Sequence, residues 1–149
     1  MRMLLTAALV AAALPMAADT TATGTAVATV VPAPATVTHV DGKTLNFGTI
    51  TSSALAQNID VPPAKGDSFT FTKDHNETLQ ISFAPSTDVI NTGDATQVCK
   101  LINLNASLPL FTGSDSTAGG FMVGGTLQVP SWIKKGDYSG TYTVTVGYK

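Results

Sequence analysis

The side chains best suited to chemistry in this chain are two histidines, His39 and His75, and a single cysteine, Cys99. The histidines stand in different segments. None of the spacings that mark a nucleophile elbow, a zinc protease, a paired-cysteine redox site or a phosphate-binding loop occurs. His39 lies near Asp41, so we expect a solvated or hydrogen-bonded histidine rather than a catalytic one. The sequence therefore predicts no catalytic residue, no cofactor and no enzymatic activity.

The run Asp74-His75-Asn76-Glu77 could begin a calcium loop, because carboxylate and amide oxygens are ligands that calcium prefers. It lacks the glycine and the later bidentate glutamate of an EF-hand. A looser cation site would have to recruit Asp67. A polar hairpin turn is the simpler interpretation, and we predict no metal.

Cys99 stands in an apolar stretch, Val98–Ile102, that is typical of a strand. One cysteine cannot form an internal disulfide, so stability must come from packing or from a partner. No histidine or second cysteine lies nearby in sequence. We expect a small buried hydrophobic residue.

Composition limits the classes of protein to consider. The 149 residues are 44% hydrophobic, enough for one domain with a core, and carry a net charge of −2. Charged residues make up 12% of the chain, against roughly a quarter in an average domain. No basic cluster in the sequence exceeds Lys134-Lys135, and nucleic-acid binding needs a basic face, so we predict no nucleic-acid partner. Beyond the N-terminus no segment approaches the ~20 apolar residues that span a bilayer.

The N-terminus has the layout of a secretory signal peptide. Arg2 supplies the positive charge, residues 4–14 form an apolar run, and Pro15 ends it. Cleavage after Ala18 is the first choice and cleavage after Ala22 the alternative. A buried apolar helix is disfavoured because no polar face accompanies the run. We therefore predict residues 1–18 as a signal peptide and an exported protein with no stable membrane span after cleavage.

The segment Gly125–Lys149 shows the clearest structural pattern, a strand, a turn and a final strand. Apolar and polar residues alternate strictly from Tyr138 to Tyr148, which is typical of a half-buried strand. Those that point one way include Tyr138, Tyr142, Val144, Val146 and Tyr148. Trp132, before the turn, is expected to anchor the core or a strand end.

Turn signals recur every 8–12 residues in the rest of the chain, and no helix is convincing. Loops are predicted at 52–67, apart from a short strand at 56–61, and at 84–97 and 112–120. Strands are predicted at 35–40, 45–50 (joined by an Asp41-Gly42 hairpin), 68–72, 77–83, 98–104, 107–111 and 121–129. The Gly124-Gly125 pair in the last of these indicates a bulge or a close approach of another backbone. Seven to nine short strands predict an antiparallel β-sandwich, with a closed barrel as the alternative.

An N-terminal extension, residues 19–34, precedes the predicted sandwich domain, residues 35–149. Residues 19–31 alternate small and β-prone side chains, and Pro32 and Pro34 then interrupt any sheet ladder. A disordered tail is one interpretation. The other is a donor strand that completes the open edge of a neighbouring copy. The side chains predicted to enter that neighbour are Ala22, Gly24, Ala26, Ala28 and Val30.

Three stretches resemble the DUF4402 family: Thr44–Ile50, Phe121–Pro130 and Gly136–Tyr148. The resemblance implies a small exported bacterial protein, related in pattern to fimbrial and spore-coat-U-like β-sandwiches. It further implies an immunoglobulin-like pilin fold, secretion through a periplasmic chaperone and an outer-membrane usher, and assembly by donor-strand exchange. Classical pilins usually carry a disulfide, which this chain cannot form internally.

The leading hypothesis is thus a structural subunit of a surface filament of a Gram-negative bacterium, with copies of itself as partners. It passes through the periplasm to the cell surface. The strand from Tyr138 to Tyr148 is expected to line the acceptor groove. The alternative is a monomeric adhesin or lectin-like module with exposed aromatics such as Trp132 at its ligand face.

Overall fold

The computed structural model describes residues 27–112 and 117–149, and these ranges form antiparallel β-strands without an α-helix. The strands are β1 Thr36–His39, β2 Gln57–Val61, β3 Asp67–Thr72, β4 Leu79–Phe83, β5 Ser86–Asn91, β6 Asp94–Ala106, β7 Leu110–Phe111, β8 Ala118–Val129, β9 Tyr138–Ser139 and β10 Val144–Tyr148. One turn of 3-10 helix, Pro63–Lys65, separates β2 from β3. The predicted all-β class with antiparallel sheets is confirmed.

The larger sheet has seven strands, and its two longest, β6 and β8, lie side by side. The hydrogen-bonded order is β1-β3-β8-β6-β5-β9. On the side away from β6, β8 is long enough to pair with two strands. Its residues 118–123 pair with β3, and its residues 125–129 pair with β2.

Gly124 lies at the junction between these two pairings. A Cβ atom there would lie 2.3 Å from the carbonyl oxygen of Val61 and 2.5 Å from the nitrogen of Pro63. No side chain fits in that space, so glycine is required where the 3-10 turn crosses β8. The predicted close approach of another backbone to this glycine pair is confirmed.

The smaller sheet consists of β10, β4 and β7, with β4 in the middle. Inward side chains of the two sheets meet in a buried core formed by Phe71, Leu79, Ile81, Phe121 and Val123. A second cluster, farther along β6 and β8, consists of Cys99, Leu101, Leu127 and Val129. Cys99 is 3% exposed, so the prediction of a small buried residue is confirmed. Burial raises the pKa of its thiol.

Residues 45–50 and 84–97 are two of the segments that differ from the predicted strand pattern. Residues 45–50 form no strand, although the turn at Asp41-Gly42 is present. Residues 84–97, predicted as a loop, contain β5 and the start of β6. The inward positions of β5 are Thr87, Val89 and Asn91. Two of these three side chains are polar, which concealed the alternation.

The predicted continuous strand from Tyr138 to Tyr148 is wrong, because the structure divides it between the two sheets. β9 pairs with β5 in the larger sheet, and β10 pairs with β4 in the smaller one. Gly140 lies where β9 ends and the chain moves away from its partner strand β5. A Cβ at this position would be 2.3 Å from the carbonyl oxygen of Asp88. The alternation continues across the break because both halves face the apolar interior.

The chain separates into two compact units, Met1–Val31 and Pro32–Lys149. The predicted signal peptide, residues 1–18, and the predicted donor residues Ala22, Gly24 and Ala26 lie outside the described residues. Ala28 and Val30 are described; both are exposed and belong to no strand. The described ranges contain no helix long and apolar enough to cross a bilayer.

Candidate functional site

β10 lies at the edge of the smaller sheet, with backbone groups on one side that pair with no other described strand. Lys149 donates its backbone N–H to the carbonyl oxygen of Thr78 at 3.0 Å, so Thr145 and Gly147 also face β4. In an antiparallel ladder the intervening residues direct their N–H and C=O groups away from the partner strand. The residues that direct these groups to the open side are Val144, Val146 and Tyr148.

The same three residues of β10 turn their side chains inward, where they pack against the buried core. A strand added at this edge would therefore hydrogen-bond to alternate positions of β10. Its own inward side chains would extend the same apolar layer. The edge thus combines an unpaired backbone with an interior that a further strand can cover.

β1 provides a second open edge, on the larger sheet, where it pairs with β3 alone among the described strands. Val40 donates its backbone N–H to the carbonyl oxygen of Ser68 at 2.9 Å. By the same alternation, Val37 and His39 direct their backbone groups away from β3. β1 approaches β10 without sharing a ladder with it. Two open edges, one from each sheet, are therefore neighbours.

A groove of about 1000 Å³, lined by both apolar and charged side chains, adjoins β1 at His39 and the segment just before β10 at Tyr142. Its lining includes the buried side chains of Leu101, Leu127 and Val129, each 4% exposed or less. Of the predicted acceptor residues, Tyr138 and Tyr142 line this groove, whereas Val144, Val146 and Tyr148 belong to the open edge of β10. The predicted acceptor residues are thus divided between the groove and the open edge of β10.

Residues 43–50 form one wall of the groove. Leu45, Phe47 and Ile50 are half-buried and pack against the second buried cluster. The segment was predicted as a strand, but it joins no sheet, and the burial of Ile50 departs from the alternation begun by Leu45 and Phe47. Gly48 has φ +70° and donates its N–H to Asn46 Oδ1 at 2.8 Å, which replaces a ladder hydrogen bond by a local one.

One buried carboxylate interrupts the apolar lining of the groove. Asp67, at the start of β3, is 5% exposed. Its Oδ2 accepts from the Tyr142 hydroxyl at 2.8 Å, and its Oδ1 accepts from His39 Nε2 at 2.8 Å. The backbone N–H of Ser68 also donates to Oδ1. Burial, and then the Asp67 carboxylate, raise the pKa of Tyr142, so the hydroxyl keeps its proton and remains a donor.

Sequence reasoning missed the pairing of His39 with Asp67, because Asp41 is the carboxylate nearest to His39 along the chain. His39 is hydrogen-bonded, as expected, but its partner lies 28 residues away. The contact depends on the register in which β1 pairs with β3, where His39 lies opposite Phe69. No local pattern encodes that register.

Tyr138 and Tyr148 hold the two ends of the predicted acceptor strand through their hydroxyls. The Tyr138 hydroxyl donates to the carbonyl oxygen of Lys134 at 2.7 Å. The Tyr148 hydroxyl donates to the carbonyl oxygen of Ala33 at 2.6 Å and accepts from the backbone N–H of Asp74 at 2.6 Å. Residue 33 of the second unit is thereby fixed at the end of β10.

The run from Asp74 to Glu77 is a turn. Asp74 Oδ2 accepts from the backbone N–H of Ala33 and Oδ1 from that of His75, both at 2.8 Å. These two hydrogen bonds, with that of Ala33 the larger, lower the pKa of the Asp74 carboxyl. Asp67 lies at the opposite end of β3, so the looser cation site does not form. In residues 27–112 and 117–149 no group of three or more His, Cys, Asp or Glu side chains could hold a metal ion.

Trp132 follows the end of β8 and is 74% exposed, so of its two expected roles, an anchor of the core or of a strand end, the core role is wrong. Its backbone N–H donates to the carbonyl oxygen of Ser53 at 2.7 Å, and its φ is +55°. The loop is thus held by its backbone while the ring faces solvent.

Residues 62–148 match the family model described as "Domain of unknown function (DUF4402)". The matched range runs from the 3-10 turn through β10, so it contains Asp67, Tyr142 and the open edge of β10. It excludes β1 and the groove wall at residues 43–50. Neither the comparison with curated proteins nor that with solved structures found a match.

Proposed function

The chain belongs to the DUF4402 family, and from that premise we propose that it is a structural subunit of a bacterial surface filament, a pilus or fimbria. Subunits polymerise head-to-tail by donor-strand exchange. The two sheets are then an immunoglobulin-like sandwich that lacks one edge strand. The family description carries no function, so the proposal rests on the geometry of the groove and its two edges.

One observation carries the proposal: the open edge of β10. Val144, Val146 and Tyr148 direct their backbone groups outward and their side chains into the core. A sheet edge of this kind is a template for a further strand, and the apolar surface beside it is costly to leave in water. Strand addition by a partner satisfies both the hydrogen bonds and the apolar lining.

The proposed donor is the extension at residues 19–31. Fully extended, thirteen residues span about 43 Å, enough to follow β10 and the groove beside it. The side chains on its groove-facing side, Ala22, Gly24, Ala26, Ala28 and Val30, are small and uncharged. Such side chains suit a groove whose walls already carry large aromatic rings.

Donor and acceptor belong to different parts of one subunit, so each contact is head-to-tail and the assembly is an open filament. The subunit is proposed to be exported through its signal peptide. A periplasmic chaperone then protects the open edge until an outer-membrane usher passes the subunit to the growing filament. No nucleic acid, cofactor or catalytic step is part of this function.

The direct test is removal of residues 19–31. We expect a folded, soluble subunit that no longer polymerises, and electron microscopy with sedimentation measures the loss. The matched control replaces the same residues by a Gly/Ser segment of equal length, which preserves the chain's reach but not its side chains. Filaments from the truncated protein would refute the donor assignment.

A monomeric binding module is the second candidate, and the exposure of Trp132 favours it. An aromatic ring in water at a loop held by its backbone suits ligand contact. This candidate predicts a single monomeric species on size-exclusion chromatography after denaturation and refolding. The filament subunit predicts concentration-dependent assembly under the same conditions.

A further inference from the structure

We propose that strand insertion is coupled to uptake of a proton by the His39–Asp67 pair, so that mild acid promotes assembly. The inference rests on the proposed function, because the pair lies in the groove that the donor would enter. It adds a regulatory property to that groove, because the protonation state of the His39 imidazole sets how strongly the inserted strand binds.

The pair is unequally open to water before insertion. The Asp67 side chain is 7% exposed, whereas that of His39 is 44% exposed. The histidine at the end of the open edge of β1 is therefore the part of the pair that an inserted strand covers. Covering it removes water from the only ion-pair partner of Asp67 among the described residues.

Other charged groups at the groove do not neutralise Asp67. Lys43, Lys134, Lys135 and Asp137 contribute to the lining. Within the described ranges none of them forms an ion pair with Asp67, and Lys134 pairs with Asp94 at 2.9 Å. Tyr142, which faces Asp67 from the crossover between β9 and β10, is a neutral donor.

The donor segment brings no compensating charge either. Residues 20–31 contain no ionisable side chain; Asp19 and, after the predicted cleavage following Ala18, its α-amino group stand at the far end. With a neutral imidazole, insertion would remove the remaining water around an already buried carboxylate that has no counter-ion, which is costly in apolar surroundings. With an imidazolium, the same insertion buries a neutral pair joined by a charge-assisted hydrogen bond.

The sign of the pH dependence follows from proton counting. Under the proposed coupling the assembled subunit binds more protons than the free subunit. Assembly therefore strengthens as pH falls from about 8 to about 5.5. The upper limit, one proton per subunit, corresponds to about a tenfold change in the assembly constant per pH unit.

The test compares His39→Gln with His75→Gln in the whole chain. Both variants remove one histidine, but His75 lies in an exposed turn outside the groove. The polymerised fraction is measured by sedimentation from pH 8 to pH 5.5. We expect the wild-type protein and His75→Gln to assemble more strongly in acid and His39→Gln to lose most of that dependence. Asp67→Asn, which removes the charge itself, should also flatten the profile.

Proton uptake provides the second measurement. Assembly in weakly buffered solution at pH 7 should raise the pH for the wild-type protein and not for His39→Gln. Assembly with equal pH dependence in both histidine variants, or without proton uptake, would overturn the inference and leave strand donation intact. Failure of the wild-type protein to assemble at any pH would instead contradict the proposed function.

Discussion

At the scale of single residues, Asp67 is the best-connected polar group of the groove. A buried carboxylate is tolerated only when its lone pairs are occupied. Asp67 meets this requirement with three donors, from Tyr142, His39 and Ser68. Because His39 belongs to β1 and Tyr142 to the crossover between β9 and β10, the carboxylate also fixes that crossover relative to β3.

Replacing Tyr142 by Phe should therefore lower the free energy of unfolding by about 1–3 kcal/mol, because a buried acceptor loses its donor. Urea denaturation of the monomeric protein at pH 7 measures the change. The matched control is Tyr138→Phe, whose hydroxyl bonds an exposed carbonyl oxygen and whose loss should cost less than about 1 kcal/mol. Equal effects of the two substitutions would contradict the role given to Asp67.

The raised pKa of Tyr142 also predicts how the free energy of unfolding changes at alkaline pH. Its pKa is raised in the folded protein by burial and by Asp67. The folded state thus keeps a proton that the unfolded state releases above about pH 10. This contribution to stability is complete below about pH 10 and is lost as pH rises further. Tyr142→Phe should remove this part of the alkaline loss, measured by unfolding between pH 9 and pH 11.

At the scale of elements, β8 organises the larger sheet because it carries different partners along its two halves. Gly124 permits this by letting the 3-10 turn approach its backbone. Gly124→Ala should destabilise the monomer by about 1–3 kcal/mol, since backbone atoms rather than flexible side chains must move. Gly147→Ala is the matched control, because a Cβ there meets nothing within 4 Å. Thermal unfolding that leaves Gly124→Ala unchanged would refute the close-packing argument.

The proposed donor element has two faces, which substitutions can separate. Ala28 and Thr29 are adjacent, exposed in the free subunit and on opposite faces of an extended chain. Ala28→Asp should abolish polymerisation, because a charge would enter the apolar groove. Thr29→Asp should leave it largely intact, and sedimentation distinguishes the two. A block by Thr29→Asp alone would reverse the assignment of the faces.

At the scale of the whole molecule, the two open edges make the isolated subunit an incomplete structure under the proposed function. Hydrogen exchange can test this at individual amides. In the unassembled protein the N–H groups of Val144 and Val146 should exchange fast, whereas those of Thr145 and Gly147, bonded to β4, should be protected. On assembly, Val144 and Val146 should become protected as well. Protection of all four amides before assembly would show that the edge is already occupied.

Where apolar and polar residues alternate, the sequence alone shows which side chains face the interior; in β5, with its polar inward positions, it does not. Strand geometry alternates side chains locally, so the inward positions of Leu45, Phe47, Val144 and Val146 and the all-β class could be read from composition and period. Cys99 could be placed in the interior for the same reason.

The strand with which each segment pairs is set by tertiary contacts. These contacts divided the segment from Tyr138 to Tyr148 between two sheets at Gly140, left residues 43–50 outside any ladder, and brought His39 and Tyr142 to Asp67. Side-chain alternation is set by each residue's own backbone. Strand partners and register depend on contacts between residues far apart in the chain, which no local pattern records.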